Sequence, residues 1–151
     1  SDVSGAARVV LADPASSKRA IATRAGIAEV VDPATLGAEC FDVVFEAAGV
    51  KPALENALTL VEKTGVLVQI GVHDEDAIVG FNPFKIYERE IRIIGSNSCA
   101  DKYAEAVDLM NDIKDRVSVL VGESFAVWDF NAAIDSMATG ESIKTLLHFK
   151  T

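Results

Sequence analysis

The short β-rich run Val9-Val10-Leu11-Ala12 ends at Asp13, the first residue whose type and place suggest chemistry. A carboxylate at the carboxyl end of such a strand, in a nucleotide-binding βαβ unit, can accept hydrogen bonds from the ribose hydroxyls of an adenosine. Its charge also opposes a 2′-phosphate. Taken alone, Asp13 reads as a turn, because Asp-Pro closes many strands. Three glycines shift that balance. Gly49, Gly71 and Gly95 each end an apolar run, and each is expected at the carboxyl edge of one parallel sheet, where ligands of open α/β folds bind. Glycine there allows a flat ring or a sugar to approach the backbone. Singly each is a turn glycine; with Asp13 they point to a nucleotide site.

The remaining candidates carry less. Glu46 ends an apolar strand and reads as a paired or structurally oriented acid. His73 with Asp74, Glu75 and Asp76 reads as an acidic loop, because that spacing fixes no coordination geometry. Glu88, Arg89 and Glu90 read as a solvated connection, and Trp128 with its neighbouring aromatics as core. His73 and His148 stand apart from each other, as do Cys40 and Cys99. The two cysteines read as reduced thiols rather than a disulfide or a metal pair. No Ser/His/Asp constellation, carboxylate pair or zinc ligand set is expected.

The elements that must position these residues follow from short apolar runs alternating with helical patterns, the signature of βαβ units and a parallel sheet. Arg8–Ala12 predicts a strand, followed by a helix capped by Ser16 or Ser17 and stopped at Gly26. Glu29–Val31 and Phe41–Glu46 predict strands. Pro52 suits the first turn of a helix whose apolar face is Leu54, Ala57, Leu58 and Val61. A Thr64-Gly65 turn leads into a strand over Val66–Ile70. Residues 72–90 read as a long polar connection, and Ile91–Ile94 as a further strand. Lys102–Lys114 predicts an amphipathic helix with Tyr103, Ala106, Val107, Met110 and Ile113 on one side. Val117–Val121 and Glu123–Val127 read as irregular strand. A helix from Trp128 to about Ala138 is expected to turn Phe130, Ala133, Ile134 and Met137 inward and to stop at Gly140. Lys144–Phe149 closes the chain as a strand, and this tail is expected to leave the βαβ rhythm.

The totals bound the function. The 151 residues suit one domain, which at this size buries roughly 70% of its unfolded surface. Half are hydrophobic and a quarter charged, ordinary globular composition. A net charge of −9 without a basic cluster argues against nucleic acid and anionic membranes as partners. No apolar run approaches the ~18–20 residues that span a bilayer, and a cytoplasmic location is expected.

Taken in order, these segments resemble zinc-containing, medium-chain alcohol dehydrogenases. Val9-Val10-Leu11-Ala12-Asp13 with Lys18, Ala22 and Gly26 resembles their second strand and the helix after it. Asp42-Val43-Val44-Phe45-Glu46-Ala47-Ala48-Gly49 is similar to their fourth strand, and Gly65–Val72 to their fifth. Asn82-Pro83-Phe84, Arg89-Glu90 and Ile93-Ile94-Gly95-Ser96 are similar to the sixth-strand region of the sorbitol, butanediol and threonine dehydrogenase branch. Ile143-Lys144-Thr145-Leu146-Leu147 is similar to the closing strand. The resemblance implies a Rossmann-type α/β fold with a parallel sheet flanked by helices, NAD as cofactor, and hydride transfer between nicotinamide and a secondary alcohol or polyol. It gives Asp13 the adenosine ribose. It sets Lys18 where the family often has Arg beside that ribose, and Ala48 and Gly49 on the cofactor ribose side. Ile70-Gly71-Val72 and Ile94-Gly95-Ser96 would hold the nicotinamide carboxamide through backbone groups. Residues 1–116 would be the cofactor domain and 117–151 a return toward a catalytic domain.

The family's Gly-x-Gly-x-x-Gly loop lies roughly 20 residues before the ribose-binding acid. Twelve residues precede Asp13, with Gly5 their single glycine. The first strand, the Gly-rich loop and the zinc-bearing catalytic domain are therefore expected before residue 1, and the chain alone is expected to be inactive. In strand order 3-2-1-4-5-6 the first strand is central. The expected remedies are a bound second piece of the parent chain, a second copy in a homo-oligomer, or direct pairing of the strands at Arg8–Ala12 and Asp42–Glu46. Two other readings stay open: a non-enzymatic interaction or dimerisation module, and a methyltransferase-like Rossmann domain.

Overall fold

The computed structural model describes residues 5–99, 101–139 and 143–149. In chain order its elements are β1 (Val10–Ala12), α1 (Ser16–Arg24), β2 (Glu29–Val31), β3 (Phe41–Glu46), α2 (Lys51–Thr59), β4 (Val61–Gln69), α3 (Pro83–Arg89), β5 (Arg92–Gly95), α4 (Tyr103–Val117), β6 (Val121–Ala126), α5 (Phe130–Ala138) and β7 (Lys144–His148). They divide into two compact units, one of residues 1–36 and 102–151, the other of residues 37–101. Every strand pair is parallel, and helices connect the strands, as an α/β fold requires. Among the described residues no helix is long and apolar enough to cross a membrane.

In the unit of residues 37–101 the sheet order is β3-β4-β5. Its core is built on β4, where Val61 and Leu67 are completely buried, joined by Ala57 of α2 and by Ile91. Val44, Leu54, Leu58 and Ile86 pack around them. Burying a side chain of this kind stabilises by about 1.5–3 kcal/mol, so these few residues anchor the strand ends that follow. β4 starts at Val61, earlier than expected. Phe41 pairs with Val61 and Val43 with Val66, so residues 62–65 form a bulge that contains the expected Thr64-Gly65 turn. Val61 thus reaches the apolar face of α2 from the strand rather than from the helix. The 72–90 connection is not all loop. Asn82 Oδ1 accepts the Phe84 N–H at 3.0 Å, Pro83 opens the first turn, and α3 follows.

In the other unit β1 pairs with β2 and β6 with β7. α1 starts without a serine cap: its N-cap is Ala15, with no side-chain hydrogen bond. Its end is as expected. The Gly26 N–H donates to the Thr23 carbonyl and the Ile27 N–H to the Ala22 carbonyl, the paired bonds of a Schellman ending. The tail departs from expectation in two ways. α4 runs on to Val117 and a further helical turn covers Ser118–Leu120, where strand was expected. β6, α5 and β7 then make a parallel βαβ unit, so the rhythm continues. The sequence pattern concealed it because these elements face solvent. Of the α5 residues expected inward only Ala133 is buried; Phe130, Ile134 and Met137 are exposed, as is Trp128 at 73%. Tyr103, Val107 and Met110 on α4 are exposed too. The expected stop at Gly140 lies outside the described residues.

The two strands expected to flank a missing neighbour do not pair directly. Among the described residues β1 pairs only with β2, and β3 only with β4.

Candidate functional site

Parallel pairing sets the carboxyl ends of β3, β4 and β5 side by side. Glu46 is level with Gln69, and Gln69 with Gly95. The Ser96 N–H then donates to the Gln69 carbonyl at 2.9 Å. The structure therefore brings Ala48, Gly49, Ile70, Gly71, Val72, Ile94, Gly95 and Ser96 to one edge, the grouping expected from the glycines.

At that edge the backbone donors converge on Glu46. Its side chain is buried, 3% exposed. Oε1 accepts the N–H groups of Ala48 and Gly49, both at 2.8 Å. Its carbonyl accepts those of Ile70 at 2.8 Å and Gly71 at 2.9 Å. Oε2 lies 3.2 Å from His73 Nε2. A buried carboxylate must be satisfied in this way or its desolvation costs several kcal/mol. The turns after β3 and β4 are thereby drawn tightly together. Gly49 has φ +70°, and a Cβ there would run into the Val72 carbonyl. A Cβ on Gly71 would run into the Gly49 backbone and lie 2.6 Å from Glu46 Oε2. These two glycines are required by chain packing on chain. Gly95 differs, since a Cβ there would meet nothing within 4 Å.

Asp13 follows β1 in the other unit. It is half-buried, its N–H donates to the Val31 carbonyl, and Oδ1 accepts the Ala15 N–H at 2.8 Å. The Arg19 guanidinium holds the carbonyls of Asp13 and Pro14 at 2.7 and 2.8 Å and pairs with Asp32 at 3.2 Å. Asp13 and Lys18 share a cleft of about 470 Å³ with Leu11, Ile27, Ile113 and Arg116. Arg116 Nε donates to the Ala25 carbonyl at 3.3 Å, a cation at the carbonyl end of α1, where the helix dipole favours it.

Sequence reasoning placed Glu46 correctly as an oriented acid but missed its partner. His73 lies in the loop after β4 as expected but, unlike the exposed acids after it, is turned inward: its side chain is 10% exposed, and Nδ1 is buried without a hydrogen-bond partner among the described residues. Glu46 at the end of an apolar strand was the available signal; nothing local marks a histidine 27 residues away. His148 is also partnered, by Ser124 Oγ at 3.1 Å on the exposed β6–β7 pair. Arg89 is no solvated link. Its guanidinium donates to Cys40 Sγ at 3.2 Å, a hydrogen bond that raises the Arg89 pKa above its ordinary value. Among the described residues no three His, Cys, Asp or Glu side chains converge as a metal site.

The model of the family described as zinc-binding dehydrogenase matches residues 2–112. The chain is 31% identical to D-arabinitol dehydrogenase 1 of Uromyces fabae, an alignment covering 94% of this chain and 44% of that protein. It is 34% identical to the sorbitol dehydrogenase of Halalkalibacterium halodurans, covering 70% of this chain and 31% of that protein. Among solved structures it is similar to one from Sinorhizobium meliloti, described as a zinc-binding dehydrogenase bound to NADP. The TM-score is 0.83 at 25% identity, over 95% of this chain and 45% of that one. The chain thus spans less than half the length of the relatives it matches.

Proposed function

This chain belongs to the zinc-binding dehydrogenase family, and from that membership we propose that it is the cofactor-binding portion of an NAD-dependent alcohol or polyol dehydrogenase. The observation that carries the reading is the shared edge of β3, β4 and β5, because open parallel sheets bind ligands at their carboxyl ends. Asp13 takes the adenosine ribose with its remaining carboxylate oxygen, and Lys18 stands beside it. Ala48 and Gly49 face the cofactor ribose. Ile70, Gly71, Val72, Ile94, Gly95 and Ser96 hold the carboxamide. The N–H groups of Ala48, Gly49, Ile70 and Gly71 are already taken, so contacts from these four residues run through their carbonyls, which accept from an amide NH₂ or a hydroxyl. Gly95 is the one strand-end glycine of the three with open space for a flat ring.

The bound cofactor supplies the hydride chemistry. The described residues do not fit zinc: Cys40 faces a guanidinium, which repels a cation, and no ligand cluster is present among them. No step is assigned to a metal in this chain. None of the residues assigned above polarises or deprotonates an alcohol, and the chain alone is inactive on this reading. Residues 1–116 form the cofactor domain and 117–151 a return toward a catalytic domain. The strand edges at β1 and β3 are covered by further protein, either the rest of a parent chain or a second copy.

Calorimetric titration tests the cofactor. NADH is expected to bind more tightly than NADPH, because the Asp13 carboxylate opposes a 2′-phosphate, and Asp13→Ala is expected to narrow that gap. The Sinorhizobium meliloti structure holds NADP, so the comparison discriminates. Binding of S-adenosylmethionine alone sinks the dehydrogenase reading, and turnover of NAD with any alcohol by this chain sinks its inactivity.

A further inference from the structure

Resting on the cofactor reading above, we propose that Glu46 and His73 are positioning residues for the nicotinamide half of the site. They touch neither cofactor nor substrate; they set the two turns that do. One residue, Glu46, receives the N–H groups of Ala48 and Gly49 on its carboxylate and those of Ile70 and Gly71 on its carbonyl. The β3 turn and the β4 turn therefore have a common anchor, and the close approach of Gly49 and Gly71 leaves the carboxylate little room to rotate.

His73 completes the anchor. A carboxylate has two oxygens to satisfy, and at 3% exposure the second is withdrawn from bulk water. His73 Nε2, 3.2 Å away, is the group that does. This contact needs the ring proton on Nε2. A proton on Nδ1 would be stranded, because Nδ1 is buried with no partner among the described residues. The imidazole thus acts as a donor held in one tautomer. Without that donor Oε2 is left buried and unpaired, a costly state, and because the carboxylate has little room to rotate, the turns must loosen to let water reach it, which weakens the bonds from Ala48 and Gly49. The adenosine side does not share this anchor: Asp13 is held by the Ala15 N–H and the Val31 carbonyl.

The test separates the two halves of the cofactor in the isotope-labelled chain. Wild type and His73→Phe are titrated with NADH and with AMP, and amide hydrogen exchange is followed without ligand. His73→Phe is expected to weaken NADH binding about tenfold, the scale of one charge-assisted hydrogen bond, and to leave AMP binding unchanged. Exchange at Ala48 and Gly49 is expected to accelerate, and His73→Gln, which keeps an N–H donor, to restore much of both. Should His73→Phe fail to fold, Glu46→Gln reads the same contact, since its NH₂ accepts nothing. NADH affinity or exchange at Ala48 and Gly49 unaffected by the variants overturns the proposal alone. Equal loss of AMP and NADH also overturns it, as damage without direction. A wild-type chain that binds neither ligand overturns the cofactor reading and this proposal with it.

Discussion

Asp13 and Glu46 both stand at the carboxyl end of a parallel strand, and the two carboxylates are used in opposite ways. Glu46 is sealed in: two N–H groups and a histidine occupy its oxygens, two more N–H groups occupy its carbonyl, and neighbouring glycines leave no space. Asp13 spends one oxygen on the start of α1 and borders a cleft. Residue type and strand-end place do not by themselves say how many of an acid's acceptors the fold occupies. Accounting for every buried donor and acceptor does.

Substitutions can break or sharpen that contrast. The largest effect is expected at Gly71→Ala on the sealed side, where the added methyl meets backbone that cannot yield; urea unfolding should show a loss of about 3 kcal/mol. A variant as stable as wild type would mean that the two turns are not packed as described. Asp13→Ala should cost about 1 kcal/mol, the worth of a lost acceptor at a helix start, and should weaken binding of AMP in the same preparation. Gly95→Ala, with nothing near its Cβ, should alter stability by less than about 0.5 kcal/mol while weakening NADH binding. A large stability loss there would remove Gly95 from the open side of the comparison. The smallest effect concerns acid. Arg8 hydrogen-bonds Glu29 at the entry to the β1–β2 pair and lowers the Glu29 pKa from its ordinary 4.5. A depressed carboxylate pKa stabilises above the unfolded value and loses that contribution as the pH falls through the folded one. Melting curves should give wild type a slight advantage over Glu29→Gln at neutral pH that disappears in acid below 4.5.

Where a segment's own residues settle its state, the sequence was readable. β2 and β3 begin and end where expected because Asp32-Pro33 and the Ala47–Gly49 turn bound their apolar runs. β4 was misread at its start because Val61 continues the helical spacing of Leu54, Ala57 and Leu58; only pairing with Phe41 makes it a strand. α3 spans seven residues, too short for a clear period, although Asn82-Pro83 was a usable start signal. The β6–α5–β7 unit hid behind exposed elements with no buried face to write an alternation. At the site, the common edge followed from topology, but the link between Glu46 and His73, 27 residues apart, arises only when the turns after β3 and β4 fold together.

The unpaired side of β3 has a consequence for handling the molecule. That strand has no neighbour on one side among the described residues, and Val43 and Phe45 are 47% and 63% exposed. Such an edge is a template on which another chain can add. A net charge of −9 keeps molecules apart in dilute buffer, but at physiological ionic strength that repulsion reaches only about 8 Å. Added salt is therefore expected to promote association of the chain through this edge wherever no further protein covers it.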